Sequence, residues 1–271
     1  MSKNSSSFKD VVNSLFAPVV IIVAFVVAYI LFNSVMGNPV NFVEGNHNGS
    51  PLPGNYLGMV YKGGIIVPIL MTILLVLIIF VIERWITLTR VQGKSQLKTF
   101  VSQIQSLLSE GKIDDCITAC DKQKGSLANV LKAGLLRYHD LQGDKGLEKD
   151  QKITSMKQAL EEATALELPM LSKNMVILST IVSISVLIGL IGTVLGMIRA
   201  FGALAQSGAP DALALATGIS EALINTAFGI TGSTLAVIFY NYFSSKIDGY
   251  TYKIDEAGFS LTQTFAASLQ K

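Results

Sequence analysis

The sequence predicts an all-α, polytopic membrane protein with four transmembrane helices. Only 15% of its residues are charged, whereas soluble globular chains carry roughly 25%. The deficit is concentrated in four stretches without any Asp, Glu, Lys or Arg. These stretches lie between Asp10 and Glu44, Lys62 and Glu83, Lys173 and Arg199, and Glu221 and Lys246. Each one can hold the ~20 apolar residues that cross a bilayer as a helix.

We place the four membrane helices at 16–36, 64–82, 175–200 and 218–243. A buried helix of a soluble core is the alternative for any one of them, but four such runs in one chain argue against it. The first run follows Lys3 and Lys9, as the apolar part of a secretory signal peptide would. It is long for that role and no clear A-x-A site follows Met36, which favours a retained membrane anchor.

Composition argues against nucleic-acid binding and against catalysis. The net charge is only +2, and no basic cluster resembles a docking surface. We find no phosphate-binding glycine loop, no βαβ pattern and no nucleophile motif, so we expect neither an enzyme nor a cofactor. Cys116 and Cys120 are the only cysteines, and without nearby histidines they make a poor metal site. We expect small buried thiols, with a redox or metal role as the alternative.

The distribution of Lys and Arg predicts that both termini lie inside. Basic residues flank the N-terminus, follow the second membrane helix and occupy the C-terminal tail. In contrast, the loop 37–63 has only Lys62, and the loop 201–217 has no Lys or Arg. The first loop is rich in Asn, Gly and Pro, which is typical of turns and coil. We therefore expect both loops to lie outside.

Residues 83–173 hold most of the charge and show helical periodicity. Residues 83–85, Glu-Arg-Trp, fit an interfacial anchor at the inner surface. Gly111 is the predicted C-cap of one helix. Either Asp114 or Asp115 is the predicted N-cap of the next helix, which contains the two cysteines.

A second break is predicted at 143–146, between two glycines. From Lys152 the helical pattern continues into the third membrane helix, with Pro169 as a kink or junction. The resulting division has an N-terminal membrane helix and outer loop at 1–63, the second membrane helix at 64–82, a cytoplasmic helical domain at 83–173, a membrane helix pair at 174–245 and a cytoplasmic tail at 246–271.

The third and fourth membrane helices carry small residues that contact with lipid alone does not require. These are Gly189, Gly192, Thr193 and Gly196 in the third helix and Ala222, Thr226 and Gly229 in the fourth. Small residues let membrane helices approach closely, so we expect helix packing and a tight oligomer here. Each threonine could simply bond the carbonyl one turn before it. Two matching faces on consecutive helices instead favour a shared polar ring.

Glu221 is the only carboxylate at the outer edge of a membrane helix. An acidic residue in that position is a candidate functional residue. It lies about 140° around the helix from Thr226, so we expect it at a channel mouth or between subunits rather than on the threonine face. The alternative is an interfacial charge that the N-terminal helix dipole favours.

Three stretches in this region resemble the MotA/TolQ/ExbB proton-channel family, and ExbB and TolQ most of all. They are GLIGTVLGMIRAF, DALALATGISEALINTAFG and FYNYF. The resemblance covers roughly 175–245 and extends more weakly over 64–174. It assigns Thr193, Glu221 and Thr226 to the polar channel positions of the family. The family often has proline where this chain has Leu235, so the fourth helix is expected to be straighter, and the helix 16–36 is additional to the usual plan.

The resemblance implies a homo-oligomer, a pentamer, in which the third and fourth membrane helices of each copy line a central pore. That pore would surround the single membrane helix of an ExbD-like or TolR-like partner in a bacterial inner membrane, and a TonB-like or TolA-like protein would receive the work. The membrane cores hold no titratable carrier besides Glu221, so we expect a complementary carboxylate on another chain.

The function expected from the sequence is therefore the housing subunit of a motor that the proton-motive force drives. It would energise TonB-dependent outer-membrane import, as ExbB does, or envelope maintenance, as TolQ does. A structural membrane scaffold without ion conduction is the alternative from another class. A motility stator is disfavoured because the inner domain lacks a strongly charged run for gripping a rotor.

The orientation predicts where an impermeant thiol reagent can react in intact cells. A cysteine placed at Asn48, in the first outer loop, should be labelled, whereas a cysteine placed at Gln142 should remain unlabelled. The measurement is the extent of labelling of each variant before and after the cells are opened. The opposite pattern would overturn the four-helix topology.

Overall fold

The computed structural model describes residues 3–46, 49–143, 146–206 and 212–268, and over these ranges the protein is all-α without a strand. The α-helices are α1 Lys3–Leu31, α2 Tyr56–Tyr61, α3 Ile66–Gln92, α4 Leu97–Ser109, α5 Ile113–Gln123, α6 Ser126–Gly143, α7 Lys149–Ser172, α8 Met175–Gln206 and α9 Ala212–Ser268. A π-helical turn, Phe32–Met36, continues α1. The predicted all-α class is confirmed.

Four of the helices, α1, α3, α8 and α9, are long and apolar enough to cross a membrane, which confirms the predicted number. Their outer faces keep large apolar side chains exposed, for example Ile22 on α1 and Ile198 on α8. Exposed apolar faces of this kind are costly in water and are suited to contact with lipid tails. The helix α9 continues without a break through Leu235.

The chain divides into two compact units. The first, called the membrane unit here, consists of Met1–Val81 and Val176–Tyr240. Within it, α1 packs against α3 through a core of Ala28, Phe32, Val67 and Met71. Burial of these side chains attaches the additional N-terminal helix to the membrane unit, because each one contributes stability in proportion to its buried apolar area.

The segment between α1 and α3 in the membrane unit is held by asparagine side chains. Asn41 is buried and donates from Nδ2 to the carbonyl oxygens of Val35 and Met36, at 2.7 and 3.0 Å. Asn55 caps α2 by accepting a hydrogen bond from the backbone N–H of Gly58 at 3.0 Å. Asn48, the labelling position named above, lies outside the described residues, and Tyr56, which is 79% exposed, serves as a described alternative.

The second unit consists of Ile82–Met175 and Asn241–Lys271. Gly111 follows the C-cap of α4 with a φ of 73°, a left-handed conformation that suits glycine. The predicted N-cap of α5 was wrong, because the cap is Lys112 and both Asp114 and Asp115 lie in the first helical turn. Their carboxylates still lie near the positive end of the helix dipole.

The helical pattern from Lys152 does lead into the third membrane helix, but the junction is not at Pro169, where it was predicted. Helix α7 runs through Pro169 and ends at Ser172, and the chain then leaves helical geometry at Lys173 and Asn174. Asn174 has a φ of 62°, a left-handed value that asparagine tolerates better than most residues. The junction between the two helices therefore lies just after the proline rather than at it.

Arg84 secures the end of α7 inside the second unit. Its side chain is fully buried and bonds the carboxylate of Glu83 through two nitrogens, each at 2.8 Å. A third nitrogen donates to the carbonyl oxygen of Leu171 at 3.2 Å, in the last turn of α7. Of the three residues in the predicted interfacial anchor, Trp85 alone is well exposed, and it stacks on Tyr242 at 5.8 Å.

The two cysteines are free and buried on α5. Burial raises the pKa of the Cys116 thiol to about 11 and that of the Cys120 thiol to about 12. Both are therefore protonated near neutral pH and react slowly, which keeps the background low in thiol-labelling experiments. Over the described ranges no group of three or more His, Cys, Asp or Glu side chains is arranged to hold a metal ion.

Replacing Arg84 by leucine should destabilise the second unit by about 3 kcal/mol, because Glu83 and the Leu171 carbonyl lose their buried partner. Arg90→Leu makes the same chemical change at an exposed position of α3 and serves as the control. The measurement is thermal loss of helical circular dichroism in detergent. Equal melting temperatures for the two variants would contradict the structural role given to Arg84.

Candidate functional site

The candidate site lies where α8 and α9 approach most closely within one chain. A Cβ atom added to Gly229 would lie 2.9 Å from the Cα of Gly189. A Cβ atom added to Gly196 would lie 2.8 Å from both the backbone N of Ala222 and the carbonyl oxygen of Gly218. Real side chains do not fit at such distances from backbone, so the small residues set the helix separation. The glycine faces thus contact each other inside the chain.

Asn225 occupies the space left by Gly192. A Cβ atom added to Gly192 would lie 2.6 Å from Cγ of Asn225. The asparagine is fully buried, and its Nδ2 donates to the carbonyl oxygen of Gly63 at 2.9 Å. One polar side chain of α9 therefore contacts both α8 and the segment that precedes α3.

Thr193 and Thr226 are brought together by this packing. Their hydroxyl oxygens share a hydrogen bond in which either can be the donor. Each hydroxyl also donates within its own helix, Thr193 to the carbonyl of Gly189 and Thr226 to that of Ala222, both at 3.1 Å.

This threonine pair has more hydrogen-bond contacts than protons. Two hydroxyls carry two protons, whereas the pair makes one mutual contact and three contacts to carbonyls, since the Thr193 hydroxyl also lies 3.5 Å from the Ala222 carbonyl. At any moment two of the four contacts lack a proton, and a small rotation of either hydroxyl changes which ones. Both threonines are half-buried, so the pair stays accessible from one side of the helix pair.

Glu221 lies apart from the threonines and forms an ion pair with Arg199. The Nη1 nitrogen of Arg199 lies 2.5 Å from Oε1 of Glu221. Only 6% of the Glu221 side chain is exposed, against 54% for Arg199. A carboxylate this buried needs a partner, because an unpaired charge out of water is costly. Arg199 supplies that partner from the same chain.

Gly64 allows this ion pair to form. Its φ is 75°, and a Cβ atom added to it would overlap Oε1 of Glu221 and lie 3.2 Å from Nη1 of Arg199. Both the backbone conformation and the space exclude a side chain. The Gly63–Gly64 segment between α2 and α3 is therefore held by two residues of α9, Glu221 and Asn225.

Arg199 and Asn225 are site residues that the sequence pattern did not predict. Arg199 ends one charge-free run and Glu221 begins the next. Opposite charges at adjacent ends of two consecutive membrane helices could have predicted this ion pair. Asn225 lies inside an apolar run, four residues after Glu221 and next to Thr226. A spacing of four places Asn225 and Glu221 on one face of a helix.

Comparison with known proteins places the chain in a family. A model of the MotA/TolQ/ExbB proton channel family matches residues 122–256. The chain is 28% identical to the biopolymer transport protein ExbB of Pseudomonas putida over 210 residues, or 74% of this chain and 60% of that protein. It is 33% identical to the Tol-Pal system protein TolQ of Pseudomonas aeruginosa over 117 residues, or 43% of this chain and 51% of that protein.

An ExbB-like protein of Synechocystis is 39% identical over 94 residues, which are 34% of this chain and 45% of that protein. The chain thus spans about half the length of the relatives it matches. The chain belongs to the MotA/TolQ/ExbB proton channel family and is close to ExbB and TolQ, as predicted. It is a multi-pass inner-membrane protein.

The glycine contacts predict a position-specific response to alanine. Gly196→Ala should destabilise the membrane unit by about 1–3 kcal/mol, because the new methyl group forces two backbones apart. Gly202→Ala is the matched control on the same helix, since an added Cβ there meets nothing within 4 Å. The measurement is the thermal stability of each variant in detergent. A Gly196 variant as stable as the control would contradict the close packing of α8 and α9.

Proposed function

We propose that this chain is the channel-forming subunit of an inner-membrane motor driven by the proton-motive force. The observation that carries the proposal is the Thr193–Thr226 hydroxyl pair between α8 and α9. Because the pair has fewer protons than hydrogen-bond contacts, either hydroxyl can accept or release a hydrogen bond by rotating, without movement of the backbone. Membership of the proton channel family supports the same function.

A proton path needs a group that changes charge, and the threonine pair cannot supply it, because a hydroxyl stays neutral at physiological pH. The carboxylate of Glu221, five residues before Thr226, is held by Arg199. We therefore assign the carrier to a partner, an ExbD-like or TolR-like protein with one membrane helix and a carboxylate. The accessible side of the threonine pair is where that carboxylate would approach.

In this proposal α8 and α9 of several copies, a pentamer by resemblance, line a pore around the partner helix. The pore-forming pair corresponds to 174–245, and the helices of 83–173 lie on the cytoplasmic side with both termini. The Lys and Arg distribution supports this orientation. Glu221, with Arg199, would lie near the outer mouth.

Both ExbB and TolQ are among the relatives at similar identity. We propose the ExbB-like role, in which a TonB-like protein receives the work and outer-membrane import is energised. A TolQ-like role in envelope maintenance, with a TolA-like recipient, is the second candidate, and the match to a Tol-Pal system protein favours it. Deleting the gene and measuring energised uptake alongside outer-membrane integrity separates the two.

A structural scaffold without conduction would use α8 and α9 for packing only, and Thr226→Val separates it from a channel. Valine keeps the shape of threonine and removes the hydroxyl. We expect proton-driven transport to fall about tenfold or more. Assembly should persist, because the lost hydrogen bond contributes only about 1 kcal/mol. The measurements are energised uptake and, in parallel, the mass of the solubilised complex.

Thr231→Val is the matched control, since Thr231 is an exposed residue of α9 whose hydroxyl bonds only the Ala227 carbonyl. Thr193→Val should reproduce the defect of Thr226→Val, because it removes the other half of the pair. Glu221→Gln tests the outer charge at nearly constant volume. Full transport in all three variants of Thr193, Thr226 and Glu221 would leave the scaffold as the function.

A further inference from the structure

Among the described residues, one buried side-chain atom has no hydrogen-bond partner, the amide oxygen Oδ1 of Asn225. The orientation of the amide follows from its other end, where Nδ2 donates to the carbonyl oxygen of Gly63 at 2.9 Å. If the amide were flipped, its oxygen would face the carbonyl oxygen of Gly63, and two acceptors would then repel each other. Because buried polar atoms in proteins are nearly always paired, Oδ1 requires a donor from outside the described residues.

A second acceptor lies on the same face of α9, one turn earlier. Glu221 binds Arg199 through Oε1, and over the described residues its other oxygen, Oε2, has no hydrogen-bond partner. The side chain is only 6% exposed. Residues four apart on a helix have Cβ atoms about 5–6 Å from each other. Two hydrogen bonds of about 2.8 Å to one molecule can span such a gap.

We propose that one water molecule is bound between Asn225 and Glu221, with one O–H directed to Oδ1 of Asn225 and the other to the free carboxylate oxygen of Glu221. Water has the two donors that two acceptors need. The site would also be lined by the Gly63–Gly64 segment, where Gly64 leaves no room for a side chain beside Glu221. Within the described residues no other group donates a hydrogen bond to Oδ1 of Asn225.

The charges favour water over a metal cation. A cation would also suit two oxygen ligands, but Arg199 already neutralises Glu221 at 2.5 Å. A second positive charge beside the guanidinium would be repelled in a site with little water. Leaving the amide oxygen of Asn225 unpaired is also disfavoured, because burying a polar atom without a hydrogen bond costs free energy.

The water extends the proposed function and rests on it, since it lies one residue from Thr226 and beside the outer ion pair. A proton that reaches the water oxygen is matched by one of the water's own protons passing to the partner's carboxylate, so the water is regenerated and Glu221 stays ionised beside Arg199. Asn225 is then a positioning residue that holds the water in the proton path.

The direct test is a high-resolution cryo-EM structure of the full chain with its co-expressed partner. We expect density for one atom at hydrogen-bond distance, about 2.7–3.0 Å, from Oδ1 of Asn225 and from the Glu221 carboxylate. Contacts of about 2.3–2.6 Å would indicate a cation and overturn the proposal. A map that resolves neighbouring waters but not this one would overturn it as well.

Two variants of Asn225 separate the water from the hydrogen bond to Gly63. Asn225→Leu keeps the branched shape and excludes water, whereas Asn225→Ala frees a volume of about 30 Å³, enough for a further water. Both lose the bond to Gly63. In proteoliposomes with the partner, we expect proton flux to fall about tenfold in the leucine variant and to stay within about threefold of wild type in the alanine variant.

Ser233→Ala is the control, because it removes the hydrogen bond from Ser233 to the Val182 carbonyl between the same two helices and should leave the flux unchanged. Equal losses in the leucine and alanine variants would show that Asn225 acts through Gly63, and normal flux in the leucine variant would remove the water from the path. Either result overturns the proposal. A failed channel function is distinguishable, since wild type and Thr226→Val would then show the same proton flux whatever density lies at Asn225.

Discussion

The membrane unit depends on the close approach of α8 and α9, which is possible only because their facing residues are small. At Gly196 and Gly229 an added Cβ would reach the neighbouring backbone at 2.8 and 2.7 Å. In a membrane, helices associate through packing and hydrogen bonds rather than through the hydrophobic effect. Loss of this contact would therefore separate the threonine hydroxyls and release Asn225 from the space beside Gly192.

The same helix pair holds polar groups of two kinds on two sides. The hydroxyls of Thr193 and Thr226 meet on a half-buried side and can exchange donor and acceptor roles. Glu221 and Asn225 instead face the Gly63–Gly64 segment, where the carboxylate is paired and nearly excluded from solvent. This separation keeps the charge of Glu221 away from the neutral threonine pair.

Some expectations from sequence were met because they depend on composition along the chain. Charge-free runs locate membrane helices whatever their neighbours are, and the family follows from local motifs around Thr193 and Glu221. Others failed because they depend on neighbours distant in sequence. The end of α7 at Ser172 depends on Arg84, which bonds the Leu171 carbonyl from 87 residues earlier in the chain. The oligomer expected from the glycines stays a prediction, and within one chain these residues contact the last helix.

The sequence by itself determined the all-α class, the four membrane helices, the family and the small faces that carry Thr193 and Thr226. These are properties of hydrophobicity and spacing, which act over one helix at a time. Only the tertiary structure decided that the two threonines bond each other, that Arg199 neutralises Glu221, and that Asn225 is buried with an unpaired oxygen against Gly63. Those facts depend on the rotation and separation of helices, which packing between distant segments sets.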